Sequence, residues 1–220
     1  FANKSNKHNT AKIGEGIFLI KDISEILHLP YSKVRHWLIE YWDDRFGGYS
    51  FGEKGNRAIN FYTLIEFYTF YKLRERGVSA QQIQKAHDII SIELNTPYPF
   101  ASKIRTDGKH IWYDHLEEII KADGKKQLDI RKILAPYLHK ITFGNNNIAE
   151  QYYPLSKKHQ VVIDPKHQFG QPTILGTNIK TETIYNLLSG GETKESICYL
   201  YDLTGNQVKD AILYYKKLAA

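Results

Sequence analysis

Pro30 cuts an apolar helical stretch in two, and that cut constrains what the first third of this chain can build. Ile23, Ile26 and Leu27 fall at i, i+3 and i+4, the spacing of one helix face. His28-Leu29-Pro30 ends the stripe, because proline donates no backbone hydrogen bond and restrains the residue before it. The next stretch, Tyr31 to about Glu40, turns Val34, Trp37 and Leu38 inward and leaves Ser32, Lys33, Arg35 and His36 outward or at the margin. A short helix, a tight turn and a second helix with polar and basic residues near its start follow the logic of a helix-turn-helix. Taken alone, the stretch reads equally well as an ordinary helical hairpin.

The residues that follow favour the first reading. Phe46 to Arg57 is rich in glycine and aromatic residues and suits a β-hairpin, with Lys54, Asn56 and Arg57 at or near its tip. Directly behind a helix-turn-helix, such a hairpin reads as a wing. Its glycines do not make a phosphate loop, because no Gly-Lys-Ser/Thr ending is present. Phe61 to Arg76 is expected to be a long helix with Leu64, Phe67, Tyr68 and Tyr71 on one face, ended by Gly77. Ser79 and Gln82 form a capping box that opens another helix, whose stripe is Ile83, Ala86, Ile89 and Ile90.

Further on, Asp107-Gly108 predicts a two-residue hairpin, and Asp114 with Glu117 caps a short helix. Leu128, Ile133, Leu134 and Leu138 continue helically, with a break expected near Pro136. Ile141–Phe143 and Ala149–Tyr153 pair as another hairpin. The last segment opens extended at Val161–Ile163 and then forms three short helices capped by Thr181, Thr193 and Thr204, the last with a full box to Gln207. Asn206, Gln207, Lys209 and Asp210 are expected on exposed early turns of the third. That trio reads either as a packing domain or as a second helix-turn-helix.

Composition removes several classes. The 220 residues carry a net charge of +6 and are 42% hydrophobic, too apolar for disorder. No apolar run approaches the roughly 20 residues that span a bilayer, and no signal peptide is visible, so a cytoplasmic protein is expected. The chain begins at Phe1 and has no methionine, which suggests a trimmed start. Its one cysteine, Cys198, has no partner for a disulfide or thiolate metal site and reads as a buried small hydrophobe. The histidines never fall at i, i+4, and Asp164 near His167 comes with no nucleophile motif. No catalytic residue, metal or cofactor is therefore expected. All seven arginines precede residue 132, so the base-reading side chain is concentrated away from the last third.

Ile20 to Trp37, with Val34-Arg35-His36-Trp37, resembles the helix-turn-helix of the MerR-like winged-helix group, whose second helix carries a Leu-Arg-Tyr-Tyr-type signature; the arginine matches it strictly. Ile59–Glu66 through Gly77-Val78-Ser79 resembles that group's following helix pair. Residues 161–215 are similar to a small three-helix antitoxin domain catalogued as domain of unknown function number four-three-three. The carriers are Val162–Pro165, Phe169–Pro172, Gly176–Ile179, Gly191–Ile197, Tyr201–Leu203 and Val208–Ile212. Asn178 stands where that family has arginine. Together the resemblances imply a VapB-like antitoxin of a bacterial type II pair, which binds a toxin, often a PIN-type ribonuclease, and as a dimer represses its own operon. The alternative is a stand-alone winged-helix transcription regulator.

The expected fold is mainly α with small β-hairpins. Residues 1–15 form a flexible tail, 16–92 a winged helix-turn-helix, 93–155 an α+β connecting segment, and 156–220 a three-helix, homeodomain-like domain. Ser32, Lys33, Arg35, His36, Lys54, Asn56 and Arg57 are the candidates for duplex operator DNA. Ile212, Leu213 and Tyr215 either contact a toxin or complete their own core. Tyr62, Phe67, Tyr68, Phe70 and Tyr71 either form a homodimer interface or pack internally.

Overall fold

The computed structural model describes residues 12–39, 49–53, 56–102, 105–106, 109–110, 117–118 and 130–218. Strand β1 (Phe18–Leu19) runs directly into α1 (Ile20–Leu27) and α2 (Tyr31–His36). Strands β2 (Ser50–Phe51) and β3 (Ala58–Ile59) follow, with β3 central and antiparallel to both β1 and β2. Next come α3 (Phe61–Glu75), α4 (Ala80–Glu93), β4 (Arg105–Thr106), β5 (Lys109–His110) and α5 (Ile130–Leu138). The chain continues through β6 (Ile141–Phe143), β7 (Ala149–Tyr152), β8 (Val161–Val162) and β9 (Thr173–Ile174) to α6 (Thr181–Ser189), α7 (Lys194–Tyr201) and α8 (Gly205–Leu218). Among the described residues the fold is mixed, with eight α-helices and small antiparallel sheets, and close to half of those residues are helical.

Helix α3 differs from the single-stripe expectation. Leu64 and Phe67 are buried as predicted, but so are Ile65, Phe70 and Leu73 on its other sides, and Tyr68 is only half-buried. A helix apolar all round belongs inside a protein, and α3 is covered from several directions. Trp37 packs edge-on against Phe70 at 5.6 Å, while Tyr68 meets Tyr137 at 4.2 Å and Tyr137 meets Tyr152 at 5.9 Å. Phe67, Phe70 and Tyr71 are thereby packed internally. One apolar core runs from Phe18 through Phe100, Leu134 and Tyr152 to Ile163, so part of 93–155 shares a core with 16–92.

Several local expectations change. The α turns of α2 stop at His36 and pass into a π-type turn over 37–39, while Glu40 lies outside the described residues. Helix α5 runs through Pro136 to Leu138. Proline costs that helix one backbone bond, but Leu134 and Tyr137, both buried, anchor its last turn in the core. The turn residues 107–108, the cap at Asp114 and the helical residue Leu128 lie outside the described residues, although β4 and β5 pair in the register of a two-residue loop.

The C-terminal helices pack around Ile174, Ile184, Ile197, Val208 and Ala211, with Cys198 half-buried against them. Thr193 caps α7 by accepting from Ser196 N at 3.1 Å, and Thr204 exchanges two bonds with Gln207 ahead of α8. Thr181 does not cap α6. Lys180 holds that position, and the buried Thr181 hydroxyl donates instead to the Pro172 carbonyl at 3.2 Å. Asp210 is not on an exposed turn either. It is buried, faces His159 Nδ1 at 2.9 Å and accepts from Gln160 N at 2.9 Å, which pins α8 to the chain before β8.

Candidate functional site

The α1–α2 turn is set by three residues. His28 adopts the left-handed conformation at φ 54°, Leu29 is buried, and Pro30 opens α2. Leu29 N donates to Ser24 O at 2.9 Å, a six-residue closure that satisfies a helix-end carbonyl. The same turn recurs between α7 and α8, where Asp202 is left-handed at φ 52°, Leu203 is buried, and its N donates to Cys198 O at 3.0 Å. Each end of the described chain thus carries a helix pair joined by a left-handed residue and a buried leucine.

On α2, Val34 is fully buried, whereas Ser32, Arg35 and His36 are exposed. Lys33 is placed differently. Its ammonium lies 5.2 Å from the Trp37 ring and 5.1 Å from the Tyr71 ring, close enough for cation–π attraction to both. Burial pushes the Glu75 carboxyl up, but the Tyr71 hydroxyl, Lys72 and Lys33 outweigh that and hold it below its ordinary value. The Lys33 charge therefore serves the α2–α3 contact. The i, i+4 spacing of Lys33 and Trp37 is the signal for this in the sequence.

The β2–β3 hairpin hangs from the sheet that begins with β1, which ties it to the helix pair. Asn56 is exposed and its backbone N donates to Glu53 O at 3.0 Å. Arg57 is half-buried, and its Nη1 donates to Ser50 Oγ at 2.7 Å across the hairpin. Gly52 holds the turn at φ 92°, and a Cβ there would stand 2.6 Å from the Asn56 carbonyl. Lys54 lies outside the described residues.

The three C-terminal candidates are half-buried. Ile212 packs against the α6–α8 core, Leu213 joins Leu155, Val161 and Tyr214, and Tyr215 stacks on Tyr185 at 4.6 Å. The more exposed apolar side chains of this unit are Tyr199 and Leu200 on α7, at 89% and 64%. Periodicity alone does not mark them, because both extend an apolar run around Ile197. Asn178 holds the loop before β9: its Oδ1 is 2.6 Å from His167 Nδ1 and its carbonyl accepts from Gln168 Nε2 at 3.0 Å.

The family model described as protein of unknown function DUF433 matches residues 161–215. A protein of Mycobacterium tuberculosis named "Putative antitoxin VapB45" is 26% identical over 170 residues, covering 70% of each chain. The "Uncharacterized protein Rv2308" of the same organism is 24% identical over 234 residues, covering 94% of this chain and 93% of its own. The crystal structure of Rv2018, also from Mycobacterium tuberculosis, has the same fold at a TM-score of 0.65 and 21% identity, over 89% of this chain and 96% of that one. In sequence the chain is antitoxin-like. No helix among the described residues is long and apolar enough to cross a membrane.

Proposed function

We propose that this protein is a DNA-binding antitoxin of a bacterial type II toxin–antitoxin pair, without catalysis of its own. Residues 16–92 act as the winged helix-turn-helix and the α6–α8 unit, in a homeodomain-like arrangement, holds the toxin, for which the resemblance implies a PIN-type ribonuclease. The observation that carries this reading is the α1–α2 pair with Ser32, Arg35 and His36 exposed on its second helix, ahead of a hairpin bearing Asn56 and Arg57. The 26% identity to a named antitoxin supplies the toxin–antitoxin context. Arg35 is the side chain suited to bidentate contact with a guanine, and Arg57 to a phosphate. Lys33 positions α2 rather than reading bases.

A palindromic operator would require a homodimer on DNA, since one such motif reads only a few base pairs. With Phe67, Phe70 and Tyr71 packed inside, dimer contacts fall to surfaces other than α3. Tyr199 and Leu200 are the side chains proposed for the toxin, as exposed apolar area with an aromatic anchor is what partner docking uses.

The test uses the full chain, because a cut at residue 156 would take Val161, Ile163 and Tyr214 out of their cores. DNA from upstream of its own gene should bind, and Arg35→Ala should weaken binding by about 1–3 kcal/mol. Affinity should fall with salt at a slope of about −0.9 per phosphate contact. A toxin encoded in the neighbouring reading frame should co-purify with the native chain and not with Leu200→Glu. DNA binding without any toxin retained would make the protein a stand-alone regulator. Loss of neither activity in these variants would remove the assigned residues from both surfaces.

A further inference from the structure

The α7–α8 pair repeats the α1–α2 pair in more than the backbone of its turn. Ile23, Leu29 and Val34 are buried, and Ile197, Leu203 and Val208 are buried at the same intervals. His28 and Asp202 hold the left-handed position at φ 54° and 52°, each after a helix of eight residues. Leu29 N closes on Ser24 O and Leu203 N on Cys198 O. Val34 N then donates to Pro30 O at 3.1 Å, and Val208 N to Thr204 O at 3.2 Å. Matching inward faces fix matching outward ones, because both helices share one period. Ser32 and Arg35, second and fifth in α2, are exposed; Asn206 and Lys209, second and fifth in α8, are exposed too.

The chemistry of that outward face is a second observation. Gly205, Asn206 and Lys209 open it, and Lys216 continues it. The acidic residue of α8, Asp210, is turned in to His159 Nδ1 and Gln160 N, at the position where α2 exposes His36. The outward face of α8 is thus polar and basic. Exposed carboxylates nearby, those of Glu192, Glu195 and Asp202, belong to α7 and the turns on either side of it. A Cβ at Gly205 would meet nothing within 4 Å, so the start of the helix stands clear of the rest of the chain.

We propose that α7 and α8 form a second helix-turn-helix and that α8 binds duplex DNA, with Asn206 at a base edge and Lys209 at a phosphate. The first residues of a recognition helix are the ones that reach base edges in the major groove. Asparagine can pair with both N6 and N7 of an adenine, and lysine meets a phosphate as a point charge. Charge complementarity selects nucleic acid for this face, because the exposed apolar side chains of the unit, Tyr199 and Leu200, lie on α7. Leu200 is exposed where Ile26, its counterpart on α1, is buried in the N-terminal core. Toxin and DNA are thereby assigned to different helices of one unit. The inference extends the DNA binding proposed above and does not depend on α2 as the reader.

The experiment uses the full chain and a labelled duplex from upstream of its own gene, read by fluorescence anisotropy and hydroxyl-radical footprinting. Asn206→Ala combined with Lys209→Ala changes only exposed positions. It should weaken binding about ten-fold or more and lower the salt slope by about 0.9. Lys209→Arg alone keeps the charge and should bind like the native chain. The footprint of the double variant should lose a stretch that Arg35→Ala still protects. A double variant with native affinity, slope and footprint overturns the proposal. So does one that keeps its DNA and releases a co-purifying toxin, since α8 would then be a protein surface. A weakened double variant beside an unaffected Arg35→Ala supports α8 and removes α2 as a reader. A native chain that binds no duplex even at low salt overturns both.

Discussion

Lys33 shows how one residue on a promising helix can serve a contact within the fold. Its ammonium sits over Trp37 and Tyr71, and its charge helps hold the Glu75 carboxyl down. Lys33→Gln should therefore lower stability by about 0.5–1 kcal/mol, the worth of an exposed cation–π contact, while affinity for operator DNA stays within a factor of two or so. Urea titration and fluorescence anisotropy on the same variant separate the two effects. A loss of affinity matching that of Arg35→Ala would return Lys33 to the groove. Glu66 makes a sharper case. Fully buried in α3, it accepts from Phe100 N at 2.6 Å and Ala101 N at 2.9 Å and stands 3.2 Å from His87 Nε2. It joins α3, α4 and the segment around residue 100 through one carboxylate. Glu66→Ala leaves two buried amides without their acceptor and removes the carboxylate that faces the buried His87 imidazole, and should cost about 3–5 kcal/mol in urea-induced unfolding. A cost below about 1 kcal/mol would mean that water replaces it.

At the level of elements, the short-range signals are the legible ones. Ser79 and Gln82 exchange bonds of 2.9 and 3.2 Å as a capping box, Thr193 and Thr204 cap where their positions predict, and the hairpin β6–β7 forms as read. These depend on residues three or four apart, which a sequence displays directly. Thr181 fails as a cap because the Pro172 carbonyl, nine residues away, competes for its hydroxyl. The burial of α3 on several sides was illegible for a related reason: its pattern shows how apolar the helix is, not that Trp37 and Tyr137 cover it. The candidate site divides likewise. Exposure of Arg35 and His36 follows from helical period, whereas the pairing of Lys33 with Tyr71 needs α2 and α3 brought together across the β2–β3 hairpin. Gly52 supplies the element-scale prediction. At φ 92°, with a Cβ 2.6 Å from the Asn56 carbonyl, Gly52→Ala must shift the hairpin. It should cost roughly 1–3 kcal/mol in thermal unfolding and weaken DNA binding through the displaced Asn56 and Arg57. A variant with native stability would show that the turn relaxes freely.

Across the whole molecule the core is unusually phenolic, and that has a consequence for pH. Tyr137 and Tyr152 lie between α3, α5 and β7, and Tyr214 joins α8 to Leu155 and Val161, so their rings bind together segments distant in sequence. Burial raises the hydroxyl pKa of all three above the ordinary value of 10.0; neighbouring tyrosines add to it in each, Glu66 acts further on Tyr137, and Glu25 and Asp22 on Tyr214. In the unfolded chain the same hydroxyls ionise near pH 10. Above that pH the unfolded state has released protons that the folded state retains, so stability falls as pH rises. The contribution is complete below the unfolded value and is lost between it and the higher folded value. Each of the three tyrosines removes between about 1 and 2 kcal/mol per pH unit in that window. Urea midpoints should therefore be level through neutral pH, as far as these groups decide it, and drop steeply above about pH 10. Tyr152→Phe, which keeps the ring and removes the titrating proton, should flatten the drop by one tyrosine's share. An unaltered alkaline slope in that variant would mean that Tyr152 ionises in the folded protein as it does in the open chain.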